Sequence, residues 1–586
     1  MQKKWKINEP VDNDKVKHLS QILNVSEAIA SMLVRRNIFT FDQAKAFFRP
    51  NLNDLYNPFL LLDMDKAINR IIFAFENNQK ILIYGDYDVD GTTAVAVMYS
   101  CLSKYYNHIE FYIPDRYKEG YGISIEGIDY ALKNECKLMI TLDCGINAFN
   151  QINYANTNGL DIIVTDHHNQ SDTLPEAYAI VNPKRYDCKY PFKDLSGCGV
   201  GFKLLQALYQ KQGYDMNKLY SYLDLIAVSI TSDIVSVTDE NRIFMFYGLK
   251  LINTQPRLAI RSILKYTGIN PNINFNPDNP GKETYFDREI NVTEIGFIIG
   301  PRINAAGRID NAGKVIELLI NEINIEESER IAGLLNDDNS DRKDIEKNIT
   351  AETIDMISEN DNLINRKTTV LYNPGWHKGV IGIVASRIQE TYYRPTILFT
   401  SQDDQMLTGS ARSVKGFNIY DAISKCSHLL VKFGGHHFAA GITIKKNNLE
   451  SFSDLFEQVV SNSISDEMLI PSVDIESEIQ LKDINYKFYR ILKQFSPFGI
   501  DNPSPVFVSR NVSDKGFARI VGNNHLKFDS LQKGNESAIA SIAFNLGDHM
   551  NKIFRQNRFS ICYSVEENVF NNQKKLQLLV KDIRFE

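Results

Sequence analysis

The segment at residues 84–91, YGDYDVDG, follows an apolar run at residues 81–83 and carries aspartates at alternate positions, Asp86, Asp88 and Asp90. Like charges this close repel each other, and burial makes each carboxylate costly unless a positive charge lies among them. A solvated Asp-Gly turn is one interpretation of the pattern. A site that holds a cation is the other.

A calcium loop is the first cation site to consider, because D-x-D-x-D-G opens an EF-hand. That loop needs a bidentate glutamate at its twelfth position and a helix in front of it. Here Val97 occupies the twelfth position, and a strand-like run precedes the aspartates. The sequence therefore excludes an EF-hand.

Further acidic and imidazole side chains follow other apolar runs, and we expect all of them at successive strand ends. They are Asp143 in ITLDCGI, Asp166, His167 and His168 in VTDHHNQ, and Asp233 in AVSITSD. In open α/β sheets, ligands bind beyond the carboxyl ends of the strands. Carboxylates with imidazole suit Mn²⁺ or Mg²⁺ better than zinc. One carboxylate shared by two ions about 3.5–4 Å apart is the geometry of two-metal phosphoryl hydrolysis.

These four segments resemble the motifs of the DHH phosphoesterase superfamily. The resemblance implies a centre of two Mn²⁺ or Mg²⁺ ions, bridged by Asp143, whose ligands are Asp88, Asp90, Asp143, His167 and Asp233, with Asp86 beside them. His168 would face the scissile phosphate as a charge stabiliser or a proton donor, and a purely structural histidine is the alternative. Asp166 would orient His167 or cap the loop. The pyrophosphatase branch is disfavoured, because Tyr84-Gly85 stands where that branch carries a further histidine.

Basic and glycine-rich segments lie elsewhere in the chain. Taken alone, each is explained most simply by an arginine that is solvated or a glycine that packing requires. The polar residues we single out in IPDRYKEGYGIS, GPRINAAGR, TGSARSVKGF and KFGGHHFAAG are Arg116, Arg302, Asn304, Arg308, Ser410, Arg412 and His436. GWHKGVIGIVASRI adds glycines that lead into a helix, where an anion can bind the N-terminus. Together they predict a phosphate-binding surface larger than a small phosphoester requires.

With FSPFGIDNPSPVF and NNHLKF, these segments resemble the RecJ branch of the superfamily over nearly the whole chain. That branch consists of single-strand-specific 5′→3′ DNA exonucleases. The resemblance implies release of 5′-mononucleotides in DNA repair and recombination, and a 5′-phosphate pocket of Arg116, Arg302, Ser410 and Arg412. It also implies single-strand-binding protein and a recombination helicase as partners, and we expect a monomer.

Two alternatives remain. A DHH-type phosphodiesterase for oligoribonucleotides or cyclic dinucleotides would usually be a shorter chain without a C-terminal barrel. A non-catalytic scaffold that binds single-stranded DNA would not need the intact set of acidic residues.

The elements that must position these residues follow from apolar patterning. Strand-like runs alternate with helical segments in the second hundred residues, which predicts a parallel sheet wrapped by helices. We expect an N-terminal helical segment at 1–75, a DHH catalytic domain at 76–235, a helical connector with the basic Gly-rich motif at 236–365, a second α/β domain, DHH-associated, at 366–462 and an OB-type β-barrel at 463–586. The charge-rich stretch 336–360 is expected to be a long, solvated connecting helix.

Composition narrows the class of protein. At 586 residues and 66.9 kDa the chain is too long for one core, and its 43% hydrophobic and 23% charged residues are typical of soluble globular proteins. The net charge of −7 does not exclude a polyanionic substrate, because local basic patches can bind one. Seven cysteines without CxxC pairs predict reduced thiols and a cytoplasmic location. The N-terminus lacks a signal-peptide core, and no apolar stretch reaches membrane-spanning length.

Overall fold

The fold is taken from a computed structural model, which describes residues 3–276, 283–309, 312–534, 537–555, 558–570 and 573–585. The chain divides into two compact units, and each is described by itself. The first comprises Arg49–Arg342 and Ser496–Pro503. The second comprises Met1–Phe48, Lys343–Phe495 and Ser504–Glu586.

The first unit is built on a parallel sheet. Its strands in spatial order are Ile109–Tyr112, Ile81–Gly85, Leu138–Leu142, Asp161–Thr165 and Ala179–Val181. Every neighbouring pair runs parallel, so the carboxyl ends of all these strands lie at one edge. Side chains such as Ile83 and Ile140 are buried on this sheet, as expected for strands covered on both faces. The predicted α/β class and parallel sheet are confirmed.

Helices cover this sheet and continue beyond it. They are Met64–Glu76, Val89–Leu102, Ile125–Lys133, Phe149–Thr157, Gly197–Gln212, Met216–Tyr220, Leu223–Ser232, Asp239–Thr254, Leu258–Lys265, Val292–Glu294, Gly300–Ile309 and Gly313–Ile320, with a π-helical turn at Ile295–Ile299. The helix Val89–Leu102 is buried almost throughout, which explains its run of alanine, valine and threonine.

The prediction that every acidic motif ends a strand is wrong for Asp233. This residue is the C-cap of the helix Leu223–Ser232, not the end of a strand. The run LDLIAVSITS is buried from Leu223 to Ile230. An apolar run that is buried on all sides has no periodicity that separates helix from strand, which accounts for the error.

The second unit contains a mixed sheet and a barrel. The sheet has the strand order Leu430–Gly435, Ala439–Lys445, Met406–Arg412, Thr396–Ser401 and Thr369–Tyr372, with the helices Asp361–Asn365, Ile381–Tyr392, Ile419–Ser424 and Leu449–Ser463. The barrel strands are Ser477–Glu478, Phe507–Asp514, Phe559–Phe570, Gln573–Phe585, Ile539–Ala543, His525–Gln532 and Arg519–Val521. Phe507–Asp514 also pairs with His525–Gln532, which closes the barrel. The helices Tyr486–Lys493 and Met550–Arg555 accompany it.

The N-terminal residues belong to this second unit. The structure has helices here at Asn13–Leu23, Glu27–Arg35 and Phe41–Phe48, but the strand Lys4–Ile7 precedes them and pairs in parallel with Ser472–Ile475. The sequence analysis missed that strand, because its partner is more than four hundred residues away in the chain.

The charge-rich stretch is part of the helix Ile325–Ser358, inside which the division between the two units falls. Only one side of this helix is solvated, since Leu335, Ile349 and Ile357 are buried. In the part of the chain that the structure describes, no helix is both long and apolar enough to cross a membrane.

Candidate metal centre

The first acidic motif lies where the strand Ile81–Gly85 gives way to the helix Val89–Leu102. Asp86 is fully buried just past the strand, and Asp88 is the helix N-cap, accepting a hydrogen bond from Gly91 N at 3.0 Å. Asp90 lies in the first helical turn, where the helix dipole favours a carboxylate. Gly91 has to be a glycine, because a Cβ would lie 2.3 Å from the Asp86 carbonyl oxygen.

His167 brings the other motifs together. Its Nε2 lies 3.2 Å from Asp143 Oδ1, 3.5 Å from Asp233 Oδ2 and 3.9 Å from Asp90 Oδ2. Two sets of potential ligand atoms are each close enough to hold an ion: Asp143, His167 and His168, and Asp90, His167 and Asp233. The two sets share His167, whereas the sequence-based expectation makes Asp143 the shared ligand.

Several of these polar atoms are buried and have no hydrogen-bond partner among the described residues. They are both carboxylate oxygens of Asp86, Oδ1 of Asp143 and both ring nitrogens of His167. A buried polar group without a partner is costly, and such groups rarely cluster. The unpaired oxygen of Asp143 and the unpaired ring nitrogen Nε2 of His167 lie close together, and such ligands fit a hard divalent cation, so the residues present suit Mn²⁺ or Mg²⁺.

Burial and mutual repulsion disturb the protonation of these groups. Burial, followed by the neighbouring Asp90 charge, raises the pKa of Asp143 well above its usual value and raises the pKa of Asp233 to about 8. Burial and Asp88 likewise raise the pKa of Asp86. Burial lowers the pKa of His167 to about 4, so its ring is neutral and able to bind a metal at physiological pH.

Asp166 organises the loop that follows the strand Asp161–Thr165. Its Oδ1 accepts hydrogen bonds from the backbone N–H groups of His167 and His168, and its Oδ2 accepts one from Ile146 N. The same Oδ1 lies 2.7 Å from Nδ1 of His168. Asp166 thus caps the loop as expected, but the ring that it orients is that of His168, not His167.

The Asp166–His168 pair is strongly polarised. Burial alone would raise the pKa of Asp166, but the adjacent His168 charge and the hydrogen bonds hold it at about 2. Burial alone would lower the pKa of His168, but the Asp166 carboxylate outweighs it and raises that pKa to about 9. His168 therefore carries a positive charge at neutral pH.

A glycine-led helix supplies contacts that the sequence analysis missed. Asp90 accepts hydrogen bonds from Gly197 N and Cys198 N at the start of the helix Gly197–Gln212, each at 2.7 Å. Ser229 Oγ donates a further one at 2.7 Å. The segment SGCGVG could have revealed this helix start, since a serine N-cap with glycines suits a helix that receives an anion.

The basic residues in the first unit differ in their surroundings. Arg116 lies over the Tyr87 ring at 5.0 Å and lines a cavity of about 220 Å³. Arg302 is buried, and its guanidinium donates to Asn336 Oδ1 and to the Ile298 carbonyl oxygen. Asn304 and Arg308 are half-buried on the helix Gly300–Ile309. Arg302 is thus engaged in packing to a degree that the sequence did not indicate.

In the second unit, Ser410 and Arg412 lie two positions apart on one strand and are in contact. Arg412 Nη1 donates to Ser410 Oγ at 3.0 Å, and Arg412 Nε donates to Ser386 Oγ at 3.0 Å. A Cβ on Gly382 would lie 2.9 Å from both the Arg412 guanidinium and Ser410 Oγ. Both side chains therefore lie at the first turn of the helix Ile381–Tyr392. His436 is exposed just after the strand Leu430–Gly435, and its backbone N–H donates a hydrogen bond to the Ala439 carbonyl oxygen.

Comparison with known proteins shows which family the chain belongs to. The chain matches the family models for the DHH family, N-terminal domain, at residues 80–230, the DHHA1 domain at residues 365–462 and the RecJ OB domain at residues 475–582. The single-stranded-DNA-specific exonuclease RecJ of Bacillus subtilis is 35% identical over 581 residues, covering 99% of this chain and 70% of the relative. The chain belongs to the RecJ family.

Other RecJ proteins support this membership. RecJ of Haemophilus influenzae is 32% identical over 549 residues, covering 90% of this chain and 92% of the relative. A crystal structure of Thermus thermophilus RecJ in complex with Mn²⁺ matches with a TM-score of 0.82 and 25% identity, covering 100% of this chain and 80% of that one. A further exonuclease RecJ structure, bound to manganese, matches with a TM-score of 0.57 and 29% identity over 70% of this chain and 96% of that one.

Proposed function

We propose that this RecJ-family protein is a metal-dependent exonuclease that degrades single-stranded DNA from its 5′ end and releases 5′-mononucleotides. The observation that carries the proposal is the buried cluster of carboxylate and imidazole groups without partners, in a chain whose relatives are single-stranded-DNA-specific exonucleases. The activity belongs to DNA repair and recombination.

The ligands of the metal ions are Asp88, Asp90, Asp143, His167 and Asp233, with Asp86 beside them. Mn²⁺ or Mg²⁺ suits this donor set. When bound, two such ions neutralise the carboxylates, activate a water and polarise the scissile phosphate. The elevated pKa values of Asp143 and Asp233 support the assignment, because a nearby dication relieves the repulsion that raises them.

The chain's own residues orient the substrate and stabilise charge. His168, held by Asp166, presents a positive ring toward the phosphate and offsets the negative charge that develops there. Asp143 itself has a φ of 62°, so the chain turns sharply after the strand and directs this carboxylate toward His167. That strained backbone is consistent with a functional position.

Ser410 and Arg412 bind the 5′-terminal phosphate of the strand. They combine a guanidinium, a hydroxyl and the first turn of the helix Ile381–Tyr392, which together form an anion site. Burial lowers the pKa of Arg412, and no carboxylate among the described residues pairs with it, so its charge is available to a phosphate. Arg116, Arg302, Asn304, Arg308 and His436 contact phosphates further along the strand.

The domain limits predicted from the sequence are part of the proposal, and the OB barrel binds single-stranded DNA. The protein acts as a monomer in the cytoplasm, on DNA supplied by a recombination helicase and covered by single-strand-binding protein.

The deciding experiment compares single-stranded DNA labelled at its 5′ end with the same strand labelled at its 3′ end, in Mn²⁺, Mg²⁺ or chelator. The proposal expects early release of the 5′ label as a mononucleotide, slow shortening of the 3′-labelled strand and no reaction in chelator. Duplex DNA of the same sequence should be resistant. Early release of the 3′ label, or cleavage within the strand, would contradict it.

A further inference from the structure

Tyr121 lies on a short loop whose conformation depends on the glycines at either side. Gly120 and Gly122 have φ values of 90° and 85°, which side chains other than glycine rarely adopt. The loop is tied to the sheet, because Tyr84 Oη, in the strand Ile81–Gly85, donates a hydrogen bond to the Gly122 carbonyl oxygen at 2.8 Å. The backbone around Tyr121 is therefore fixed relative to the acidic motif that follows Tyr84.

The Tyr121 hydroxyl is in direct contact with His168. Its Oη lies 3.1 Å from His168 Nε2, while the other ring nitrogen, Nδ1, is held by Asp166. Both nitrogens of His168 are thus engaged. Of the hydrogen-bonded series Asp166, His168 and Tyr121, only the Tyr121 hydroxyl can therefore offer a hydrogen to a substrate, unless the tyrosine moves away.

The second contact of the Tyr121 hydroxyl is weak. Its other neighbour is the Asp143 carbonyl oxygen at 3.4 Å, which is at the long end of the range for a hydrogen bond. The residue is 55% exposed although it stands beside a buried cluster. A hydroxyl in this position can exchange a weak contact with a backbone carbonyl for a stronger one with a phosphate ester oxygen.

We propose that Tyr121 is a catalytic residue, whose hydroxyl donates a hydrogen bond to the 3′ oxygen that leaves the scissile phosphate. This inference rests on the proposed function. In that reaction a water oxygen bonds to phosphorus, the bond from phosphorus to the 3′ oxygen breaks, and its electron pair remains on that oxygen. The water loses a proton to solvent, and the 3′ oxygen takes up a proton from solvent to become a hydroxyl. A donor at the departing oxygen acts where negative charge develops.

The test uses Tyr121→Phe, which removes only the hydroxyl, on two substrates of the same sequence. One is ordinary single-stranded DNA, and the other has sulfur in place of the bridging 3′ oxygen. On ordinary DNA, kcat should fall about 10²–10³-fold with little change in KM, as for other donors to a developing oxyanion. On the sulfur-bridged strand, wild type and variant should react at similar rates, because a thiolate leaves readily and accepts hydrogen bonds poorly.

Two controls separate this role from a structural one. Tyr154→Phe removes a hydroxyl that is bonded to Asp129 on the surface, and it should behave as wild type on both substrates. Mn²⁺ affinity, measured by calorimetry, should be the same for wild type and Tyr121→Phe.

An equal defect on both substrates, no defect at all, or loss of Mn²⁺ binding by Tyr121→Phe would overturn the assignment. If the wild type itself cleaves neither strand, the proposed function fails, and this inference fails with it. If the wild type cleaves both strands but the variant shows no selective defect on the oxygen-bridged one, only the inference about Tyr121 fails.

Discussion

Gly197 stands directly against Asp143: a Cβ at position 197 would lie 2.5 Å from the Asp143 Oδ1 atom. The backbone N–H of the same glycine donates a hydrogen bond to Asp90 Oδ2 at 2.7 Å. One residue without a side chain thus lets the start of a helix approach two carboxylates from different motifs. The separation between those carboxylates depends on that close approach.

Replacing Gly197 with alanine should therefore displace Asp143 or the helix start and weaken metal binding. We expect Gly197→Ala to lower Mn²⁺ affinity and turnover together, because the methyl group occupies space that the Asp143 carboxylate now fills. Calorimetric titration with Mn²⁺ measures the first effect and nucleotide release the second. Gly296→Ala is the matched control, since its Cβ would meet only Thr231 Cγ2 at 3.4 Å. Wild-type Mn²⁺ affinity in Gly197→Ala would contradict the prediction.

Asp143→Ala should reduce hydrolysis by orders of magnitude while leaving DNA binding largely intact. The substitution removes a proposed metal ligand. Affinity for DNA comes mainly from phosphate contacts elsewhere. Nucleotide release and fluorescence anisotropy with labelled single-stranded DNA measure the two effects. Asp172→Ala changes an exposed aspartate in the same domain and should leave both unchanged. Near-normal turnover by Asp143→Ala would remove the basis of the two-metal assignment.

Removal of metal should destabilise the protein, and more so at higher pH. Asp233 has a pKa of about 8 in the folded chain and an ordinary value near 3.8 when unfolded. The metal-free folded state therefore binds more protons than the unfolded state between these values, so its stability falls as the pH rises. A dication removes that penalty.

The rise in melting temperature on adding Mn²⁺ should thus be larger at pH 8 than at pH 6. An ion at one hundred times its Kd adds about 2.7 kcal/mol to the free energy of unfolding. Differential scanning fluorimetry at both pH values, with Mn²⁺ or chelator, measures the difference. A shift that is absent, or that shrinks as the pH rises, would contradict the assigned role of Asp233.

The sequence predicted the part of the site that lies next to strands. Asp86 and Asp143 follow apolar runs that are strands in the structure, and parallel strands end at one edge whatever the details of packing. Asp233 was predicted to follow a strand but follows a helix, because the apolar residues before it are buried on all sides and show neither helical nor strand periodicity. Gly197 and Ser229 escaped detection, since they reach Asp90 from 107 and 139 residues away in the chain. Such contacts depend on how helices pack, which local patterns do not encode.

The barrel should contribute more to binding of long strands than to chemistry. The ring of His525 meets that of Phe544 at 4.9 Å, and Phe544 is 53% exposed. His525 and Lys527 alternate with buried residues on the strand His525–Gln532, so they share the outer face. An exposed aromatic beside basic groups is a platform on which a base can stack.

Phe544→Ala should weaken binding of long single strands by about 1–3 kcal/mol, the usual effect of losing one stacking side chain. Affinity for a strand too short to reach the barrel should not change. Anisotropy with strands of increasing length measures the effect. Phe554→Ala removes another exposed phenylalanine of the barrel region, on the helix Met550–Arg555, and is the control. A deletion from Pro471 onward is less suitable, because it removes the strand that pairs with Lys4–Ile7. Unchanged affinity for long strands in Phe544→Ala would refute the platform.

Preference for a 5′-phosphorylated end should depend on Arg412. Its guanidinium contacts Ser410 and Ser386 through hydroxyl groups, which a phosphate can join without displacing a carboxylate. Loss of one charged hydrogen bond costs about 1.5–3 kcal/mol, so Arg412→Ala should reduce binding or turnover of 5′-phosphorylated DNA roughly ten- to a hundredfold. DNA with a 5′-hydroxyl should be affected much less, because it lacks the group that Arg412 binds.

The measurement is the ratio of initial rates on 5′-phosphate and 5′-hydroxyl strands, in wild type and in Arg412→Ala. Arg330→Ala removes an exposed arginine that pairs with Glu327 on the helix Ile325–Ser358, and this variant should keep the wild-type ratio. Mn²⁺ affinity should be the same in all three proteins, because Arg412 is not among the proposed ligands. If the wild type degrades 5′-phosphate and 5′-hydroxyl strands at equal rates, or if Arg412→Ala keeps the full preference for the 5′-phosphate strand, Arg412 does not bind the terminal phosphate. A drop on both substrates by the same factor would instead place Arg412 along the strand, away from its end.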